Sequence, residues 1–197
     1  IDTAKECAEP SCEELPRDEV FLKATFHHKL AEATDRPVEQ TGCCDVTSNN
    51  SFDGNIEYDV PMCAKGTPPE RCVHTASTVQ PLDSIAYTPG EPGDEQWVDL
   101  VFAAPHLHAS GLSLELQDAV TNETVCEVNT ASTLPGRGDG VYYGGGRTAG
   151  DELGYLTGLI PCVWGEGKGP RRQRKHPMRT IAKYNATAQQ TGVMSLW

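Results

Sequence analysis

Two histidines that stand two residues apart, His106 and His108, are the residues whose types and spacing most directly suggest chemistry. They follow residues 97–102, the most apolar run of the sequence. Side chains two apart on a strand point to the same face, so both imidazoles are expected to converge on one point. Imidazole is a common ligand of zinc and copper. The pair is therefore a candidate metal-binding pair, and two ordinary histidines are the alternative.

A third ligand is needed to complete a site, and zinc would take another His, Asp, Glu or Cys. His74 and His176 are in or near predicted loops, with nothing to place them beside the pair. The last predicted strand instead supplies Met194, whose side chain is expected on the same face as Leu196. A thioether beside two imidazoles is a soft ligand set that suits Cu(I). Packing in the core is the alternative role for Met194.

The composition favours many short elements joined by turns, because the 197 residues include 19 glycines and 14 prolines. The length allows one large domain or two small ones. A net charge of −12 argues against a nucleic-acid partner. No apolar run approaches the roughly 20 residues of a membrane span. We therefore expect a globular chain with neither a nucleic-acid partner nor a membrane span.

The cysteines and the N-glycosylation sequons together predict a secreted or cell-surface protein. An even number of cysteines without a C-x-x-C pair indicates disulfides, hence an oxidising compartment, rather than a zinc ribbon. Eight cysteines allow about 105 pairings, and a local bridge between Cys63 and Cys72 is one geometrically reasonable choice. The eight are Cys7, Cys12, Cys43, Cys44, Cys63, Cys72, Cys126 and Cys162. The sequons begin at Asn49, Asn122 and Asn185, which predicts N-linked glycans.

Alternation of apolar and polar residues predicts about eight to ten short strands and no amphipathic helix. The predicted strands include residues 20–30, 55–60, 73–79, 97–102, 112–116, 125–128, 153–164, 179–184 and 193–197. Residues 97–102 are apolar on both faces apart from Asp99, which predicts an inner strand. His27 and His28 are adjacent on the first strand and so point to opposite faces. The pattern predicts an all-β fold, an antiparallel jelly-roll-like β-sandwich stabilised by disulfides.

The predicted domain organisation is an acidic, cysteine-containing arm over residues 1–19 and a single β-sandwich domain over residues 20–197. The chain begins at Ile1 without a signal peptide and ends at Trp197 within a strand pattern, so we expect it to be excised from a longer chain. Residues 132–151 are glycine-rich and predict a long irregular excursion. The basic stretch from Arg171 to Lys175 is interpreted as a solvated loop, with an acidic-glycan contact and a processing site as alternatives.

Three sequence blocks, in their order along the chain, resemble the stress-up-regulated nodulin family of plants and microbes. The blocks are His106-Leu-His-Ala-Ser-Gly, Gly154-Tyr-Leu-Thr-Gly followed by Cys162, and Thr191-Gly-Val-Met-Ser-Leu. The resemblance covers roughly residues 20–197. Ser110 and Ser195 stand where the family has glycines, and Gln190 stands where it usually has histidine.

That family in turn resembles the second domain of the copper type II, ascorbate-dependent monooxygenases, such as peptidylglycine hydroxylating monooxygenase. In those enzymes a His-x-His pair and a late methionine hold the oxygen-binding copper. The resemblance implies His106, His108 and Met194 as copper ligands here. The monooxygenases also need a second domain with three copper-binding histidines, which the remaining histidines do not resemble. Two-copper hydroxylation within this chain is therefore not expected, and enzymatic activity stays open.

Three functions remain open at this stage. The first is a secreted, glycosylated domain with a mononuclear copper site, acting as a redox or oxygen-binding module. The second is a non-catalytic structural or interaction module of a cell wall, surface filament or larger ectodomain, with other extracellular domains or further copies of this chain as partners. The third is glycan binding through the basic stretch and the aromatic residues Tyr142, Tyr143 and Trp164.

Overall fold

The computed structural model describes residues 23–28, 30, 32, 38, 45–47, 57–82, 97–129, 141–143 and 156–197. The chain divides into two units, Ile1–Val38 and Glu39–Trp197. Several predictions lie outside the described residues and stay predictions. They concern the boundary between residues 19 and 20, the sequon at Asn49, and the bonding of Cys7, Cys12, Cys43 and Cys44.

The prediction of a strand over residues 20–30 is wrong for residues 23–28, which belong to no strand and are exposed. Phe26 in this segment is 87% exposed. An alternating pattern makes a strand suitable for half-burial, but the strand forms only where a neighbouring strand accepts its backbone hydrogen bonds. His27 and His28 are consequently two exposed side chains outside any strand.

The described residues of the second unit form fourteen short strands and one 3-10 turn (Pro69–Arg71), with no α-helix among them. The strands are β1 (Tyr58–Val60), β2 (Val73–Pro81), β3 (Trp97–Asp99), β4 (Phe102–Ala103), β5 (His106–Leu107), β6 (Gly111–Asp118), β7 (Thr124–Asn129), β8 (Val141–Tyr143), β9 (Leu156–Leu159), β10 (Cys162–Val163), β11 (Arg171–Gln173), β12 (Pro177–Asn185), β13 (Gln190–Val193) and β14 (Ser195–Leu196).

The largest element is a four-stranded antiparallel sheet in the order β2-β12-β6-β7. Its central strand β12 pairs with β2 along its whole length, from Pro177 opposite Pro81 to Asn185 opposite Val73. Strands β6 and β7 form a hairpin whose turn follows Asp118, as the sequence predicts. Asp118 itself shapes this turn, because its Oδ1 accepts hydrogen bonds from the backbone N–H groups of Val120 and Thr121.

Five antiparallel two-stranded ribbons complete the described strands. They are β1-β13, β3-β11, β4-β10, β5-β14 and β8-β9. Only β8-β9 pairs strands that follow one another among the described strands. The other four ribbons pair strands that are far apart in sequence. The core collects side chains from both kinds of element, including Leu114 and Tyr184 from the sheet and Leu107 and Val193 from the ribbons. The predicted all-β antiparallel sandwich is confirmed.

Two disulfides are present among the described residues. Cys63–Cys72 closes the local loop that the sequence suggested, and Cys126–Cys162 ties β7 to β10. Three of these four cysteines are buried. The two bridges confirm the expectation that disulfides stabilise the sandwich.

The apolar run at residues 97–102 is not an inner strand, so that prediction is wrong. It is divided between β3 and β4, each of which pairs with a single strand in the part of the chain that the structure describes, and Trp97 and Phe102 are 54% and 51% exposed. The predicted strand over 153–164 is similarly divided into β9 and β10, on either side of Ile160 and Pro161. Proline has no N–H for a ladder, which accounts for a break at this point.

The basic stretch is not a solvated loop, because Arg171–Gln173 forms β11 and pairs with β3. The Arg172 side chain is only 18% exposed and contacts Asp118, and Arg174 is buried. The sequence shows that the stretch is basic. It does not show the burial of Arg172, because the acidic partner Asp118 lies more than fifty positions away in sequence. No helix in the described part of the chain is long and apolar enough to cross a membrane.

Candidate metal centre

The two histidines of the His-Leu-His sequence converge as their spacing predicts. The centroids of the His106 and His108 rings are 5.0 Å apart, with their planes inclined at 57°. Between them, Leu107 points into the core and is 5% exposed. The alternation therefore leaves both imidazoles on the outer face of β5, where His106 is exposed and His108 is half-buried.

The pairing of β5 with β14 places Met194 beside this pair. Leu196 lies opposite His106 and Ser195 lies opposite Leu107. The next position on each strand is His108 and Met194, and the His108 N–H donates to the Met194 carbonyl oxygen at 3.3 Å. Residues directly opposite in an antiparallel pair share a face. The register therefore brings Met194 to the position opposite His108.

The predicted faces of the last strand agree with the burial pattern. Val193, Ser195 and Trp197 are buried, whereas Met194 and Leu196 are half-buried. The strand itself is divided, since β13 ends at Val193 and β14 begins at Ser195. Met194 therefore lies between β13 and β14, outside the regular hydrogen-bond ladder of either ribbon. Its carbonyl oxygen accepts a hydrogen bond from the His108 N–H.

A backbone carbonyl fixes the orientation of the His108 ring. Nδ1 of His108 lies 3.1 Å from the Gly192 carbonyl oxygen. A carbonyl can only accept, so this contact requires the proton on Nδ1 and leaves the Nε2 lone pair free. Gly192 has a φ of +65°, and a Cβ there would lie 3.1 Å from a Glu57 carboxylate oxygen. Glycine suits this position because it adopts a positive φ without strain and has no Cβ to crowd Glu57.

The surroundings of His106 favour its neutral form. Partial desolvation lowers the pKa of His106, the neighbouring His108 lowers it further, and the Asp45 carboxylate opposes both effects. Asp45 is itself held by Thr47, whose backbone N–H donates to Asp45 Oδ1 at 2.7 Å. Neutral imidazole is the form that binds metal ions, so a lowered pKa is compatible with a ligand role.

A buried hydroxyl network lies behind the site. The Tyr184 hydroxyl donates to the Met194 carbonyl oxygen at 2.8 Å and lies 2.6 Å from Ser195 Oγ. The Tyr58 hydroxyl is 2.9 Å from the same Ser195 oxygen. Burial raises the pKa of both tyrosines, so the hydroxyls stay protonated. The Met194 carbonyl oxygen is therefore held from two sides, by Tyr184 and by His108.

A family model described as stress up-regulated Nod 19 matches residues 30–197. The chain belongs to the stress up-regulated Nod 19 family. This confirms the nodulin resemblance read from the sequence blocks. No match to a curated protein and no match to a solved structure is found. The part that belongs to the stress up-regulated Nod 19 family contains the histidine pair, Met194 and both described disulfides.

Within the described residues of this stress up-regulated Nod 19 protein, no group of three or more His, Cys, Asp or Glu side chains is placed to hold a metal ion. His74 lies on β2 opposite Tyr184, and His176 lies 2.9 Å from the Asp118 carboxylate. Neither joins the histidine pair. A site at His106 and His108 consequently depends on Met194 as its third side-chain donor.

The two described sequons lie on exposed positions. Asn122 is in the turn between β6 and β7, and Asn185 ends β12. At Asn185, Oδ1 accepts hydrogen bonds from the backbone N–H and the hydroxyl of Thr187, the third residue of its sequon. Both asparagines are accessible in the way that N-glycosylation requires.

Sequence reasoning missed the residues that support the site. Tyr58, Tyr184 and Gly192 come from three different elements, and no local pattern links them to His108. A usable signal existed for Gly192, which lies in the Thr-Gly-Val-Met block, and for Tyr58, which lies in the block Ile56-Glu-Tyr-Asp-Val-Pro-Met-Cys63 that also resembles the family. Tyr184 looked like an ordinary core residue of an alternating strand.

Proposed function

We propose that this domain is a secreted, glycosylated β-sandwich that holds one copper ion with His106, His108 and Met194. The observation that carries the proposal is the convergence of the two imidazoles, 5.0 Å apart by ring centroid, and the hydrogen bond from the His108 N–H to the Met194 carbonyl oxygen supports Met194 as the third ligand. Two imidazoles and a thioether form a ligand set that fits copper better than harder cations, which prefer oxygen.

The residues around the candidate site orient the three proposed ligands and do not add a further metal donor. Gly192 orients the His108 ring, which leaves Nε2 for the metal. The Tyr184 hydroxyl and the His108 N–H both donate to the Met194 carbonyl oxygen, which fixes the backbone from which the thioether side chain extends. Bound copper would supply one-electron redox chemistry and an open position for a small ligand such as oxygen.

The proposal stops at copper binding and redox chemistry. A monooxygenase-like reaction would need a second source of electrons, such as a second copper domain. Support for an extracellular setting comes from the two disulfides and from the exposure of Asn122 and Asn185. Mass spectrometry of the protein from a secretory host tests the glycans, because N-glycosylation of either site adds a mass that amidase treatment removes.

Copper stoichiometry in wild type and in single variants tests the site. We expect one Cu(I) per wild-type chain, and His108→Ala should lose high-affinity binding, by about 100-fold or more in affinity. His28→Ala is the matched control, since this exposed histidine belongs to no strand. Equal copper binding by wild type and His108→Ala would place the metal elsewhere and refute the site.

A structural or interaction module is the second candidate, favoured by an exposed apolar pair. Phe102 and Val163 lie opposite each other on the β4-β10 ribbon and are 51% and 63% exposed. Exposed apolar neighbours of this kind often mark contact surfaces. Sedimentation of wild type and Phe102→Ser would distinguish the two functions. Self-association lost in the variant, together with no copper binding by wild type, would favour the structural module.

A further inference from the structure

A cavity of about 450 Å³ lies between the start of β7 and the segment that joins β10 to β11. Its lining includes Glu123, Thr124, Trp164, Lys168, Gly169 and Arg172. The volume falls within the range of small-molecule sites. None of these residues belongs to the candidate copper site, so the cavity is a separate feature of the domain.

The walls of the cavity are fixed by covalent and backbone contacts. The Cys126–Cys162 disulfide ties β7, which begins one wall, to β10, which leads into Trp164. The backbone N–H of Trp164 donates to the Val101 carbonyl oxygen at 3.0 Å. Gly169 packs so closely that a Cβ there would overlap the carbonyl oxygen of Leu100. A cavity with fixed walls loses little conformational entropy when a ligand binds.

The charges around the cavity nearly cancel. Nε of Arg172 lies 2.8 Å from the buried Asp118 carboxylate, and its Nη2 lies 3.5 Å from Glu123. Lys168 is exposed and has no ion-pair partner among the described residues. The lining thus offers an ammonium donor, a carboxylate acceptor and a hydroxyl, with one tryptophan among them. Neither a wholly apolar ligand nor a highly charged one matches this set.

We infer that this cavity binds a neutral pyranose sugar. A pyranose has apolar C–H faces that can pack on an indole ring, and hydroxyl groups that donate to Glu123 and accept from Lys168. The sugar can come from an external glycan or from the chain's own glycan at Asn122. That residue directly precedes Glu123, and Arg179 Nη1 donates to its Oδ1 at 2.7 Å, which leaves Nδ2 for glycosylation. Only the second source depends on the proposed glycosylation.

NMR titration of the Trp164 indole N–H with neutral disaccharides tests the inference. The probes are disaccharides of N-acetylglucosamine, glucose, galactose and mannose, each up to about 10 mM, which detects a Kd on the order of 1 mM. The Asn122→Gln variant, made in a secretory host, is titrated beside the glycosylated wild type. Trp164→Phe assigns the signal among the three tryptophans.

We expect at least one disaccharide to shift the Trp164 signal in Asn122→Gln. A shift in that variant alone identifies the chain's own glycan as the occupant of the wild type, and a shift in both proteins identifies an external sugar. No shift in Asn122→Gln with any probe overturns the inference.

Two further variants separate a built site from unspecific stacking. Trp164 packs against the core, so Lys168→Met is the variant that leaves the fold intact, and it should weaken sugar binding about fivefold or more. Trp97 is a second, exposed tryptophan on β3 whose indole signal should not move. Equal shifts at Trp97 and Trp164, or full binding by Lys168→Met, would also overturn the inference.

Discussion

Single residues near the candidate copper site adopt backbone conformations that restrict which side chain fits. Ser110 has a φ of 66°, a left-handed conformation that glycine adopts most readily. Its Oγ is also buried without a hydrogen-bond partner among the described residues. A glycine here, which the sequence blocks lead us to expect in the family, would avoid this strain. The Ser110 carbonyl oxygen accepts from the Asn185 N–H at 2.9 Å, which glycine would also do, so the serine side chain is expected to cost stability.

Ser110→Gly should stabilise the protein by about 1 kcal/mol, because it relieves the left-handed strain and removes a buried, unpaired hydroxyl. Urea denaturation at neutral pH measures the change in the free energy of unfolding. Ser113→Gly is the control, since Ser113 lies within β6, where glycine should destabilise. A loss of stability in Ser110→Gly would contradict this interpretation of the backbone.

Asp118 is the residue at which acid should weaken the fold. It is 2% exposed, and its Oδ2 lies 2.8 Å from Arg172 Nε and 2.9 Å from His176 Nε2. Burial raises the pKa of Asp118, but His176 and the N–H groups of the turn outweigh that effect and hold the pKa well below its usual range. The folded state therefore binds fewer protons than the unfolded state at low pH.

Asp118→Asn should lower the free energy of unfolding at pH 7 by roughly 3 kcal/mol, because Arg172, whose side chain is 18% exposed, keeps only the exposed Glu123 carboxylate at 3.5 Å. In wild type, the contribution of Asp118 is complete above about pH 4, the pKa of an unfolded Asp, and is lost as pH falls toward the folded pKa. Urea denaturation between pH 3 and 7 should show a smaller pH dependence in Asp118→Asn. Asp99→Asn, which removes a partly exposed carboxylate 3.8 Å from Arg171, is the control with a small effect.

At the scale of elements, a two-residue strand holds the third candidate ligand. Strand β14 (Ser195–Leu196) is too short to fix Met194 by its own ladder, and β13 ends before that residue. The buried strand β12 provides the missing support through the Tyr184 hydroxyl. The geometry of the candidate site thus depends on the central strand of the four-stranded sheet.

Tyr184→Phe should lower stability by about 1–2 kcal/mol and weaken Cu(I) binding by about tenfold, because the Met194 carbonyl oxygen and Ser195 lose a buried hydroxyl. Tyr58→Phe removes the hydroxyl that contacts Ser195 Oγ and the Tyr184 hydroxyl but leaves the hydrogen bond from Tyr184 to the Met194 carbonyl oxygen in place, so it should affect stability while leaving copper affinity near wild type. Competitive titration with a Cu(I) chelator and urea denaturation measure the two effects. Equal copper affinities in Tyr184→Phe and wild type would show that this network supports the fold alone.

At the scale of the whole molecule, the two disulfides among the described residues differ in span and link parts of a sandwich made of short strands. Cys63–Cys72 spans nine positions and Cys126–Cys162 spans 36. The second bridge joins β7 of the four-stranded sheet to the β4-β10 ribbon, and no backbone pairing joins the two among the described strands. Chains of short ribbons depend on such links because each ribbon contributes few hydrogen bonds.

Replacing Cys126 and Cys162 together by serine should cost about 4 kcal/mol, against about 2.5 kcal/mol for the Cys63 and Cys72 pair, because the longer loop restricts the unfolded chain more. Thermal and urea denaturation of both double variants provide the comparison. The order of the two effects is the prediction, and a larger loss from the Cys63 and Cys72 replacement would contradict it.

The sequence could predict what depends on local pattern. The convergence of His106 and His108, the two faces of residues 193–197 and the turn after Asp118 follow from alternation and turn chemistry. The other contacts of the fold and of the candidate site join residues that are far apart in sequence. The contacts of Gly192 with His108 and of Arg172 with Asp118 depend on strand register, which composition does not specify. For the same reason, an apolar run such as 97–102 was mistaken for an inner strand.

X-ray absorption at the copper edge, on Cu(I)-loaded wild type and Met194→Leu, tests the copper site most directly. The proposal predicts two imidazole nitrogens and one sulfur in the wild-type coordination shell, and the loss of the sulfur in Met194→Leu with the imidazoles retained. Leucine is close to methionine in size, so the fold should persist. A wild-type spectrum without sulfur, or one that Met194→Leu leaves unchanged, would contradict the assignment of Met194 beside His106 and His108.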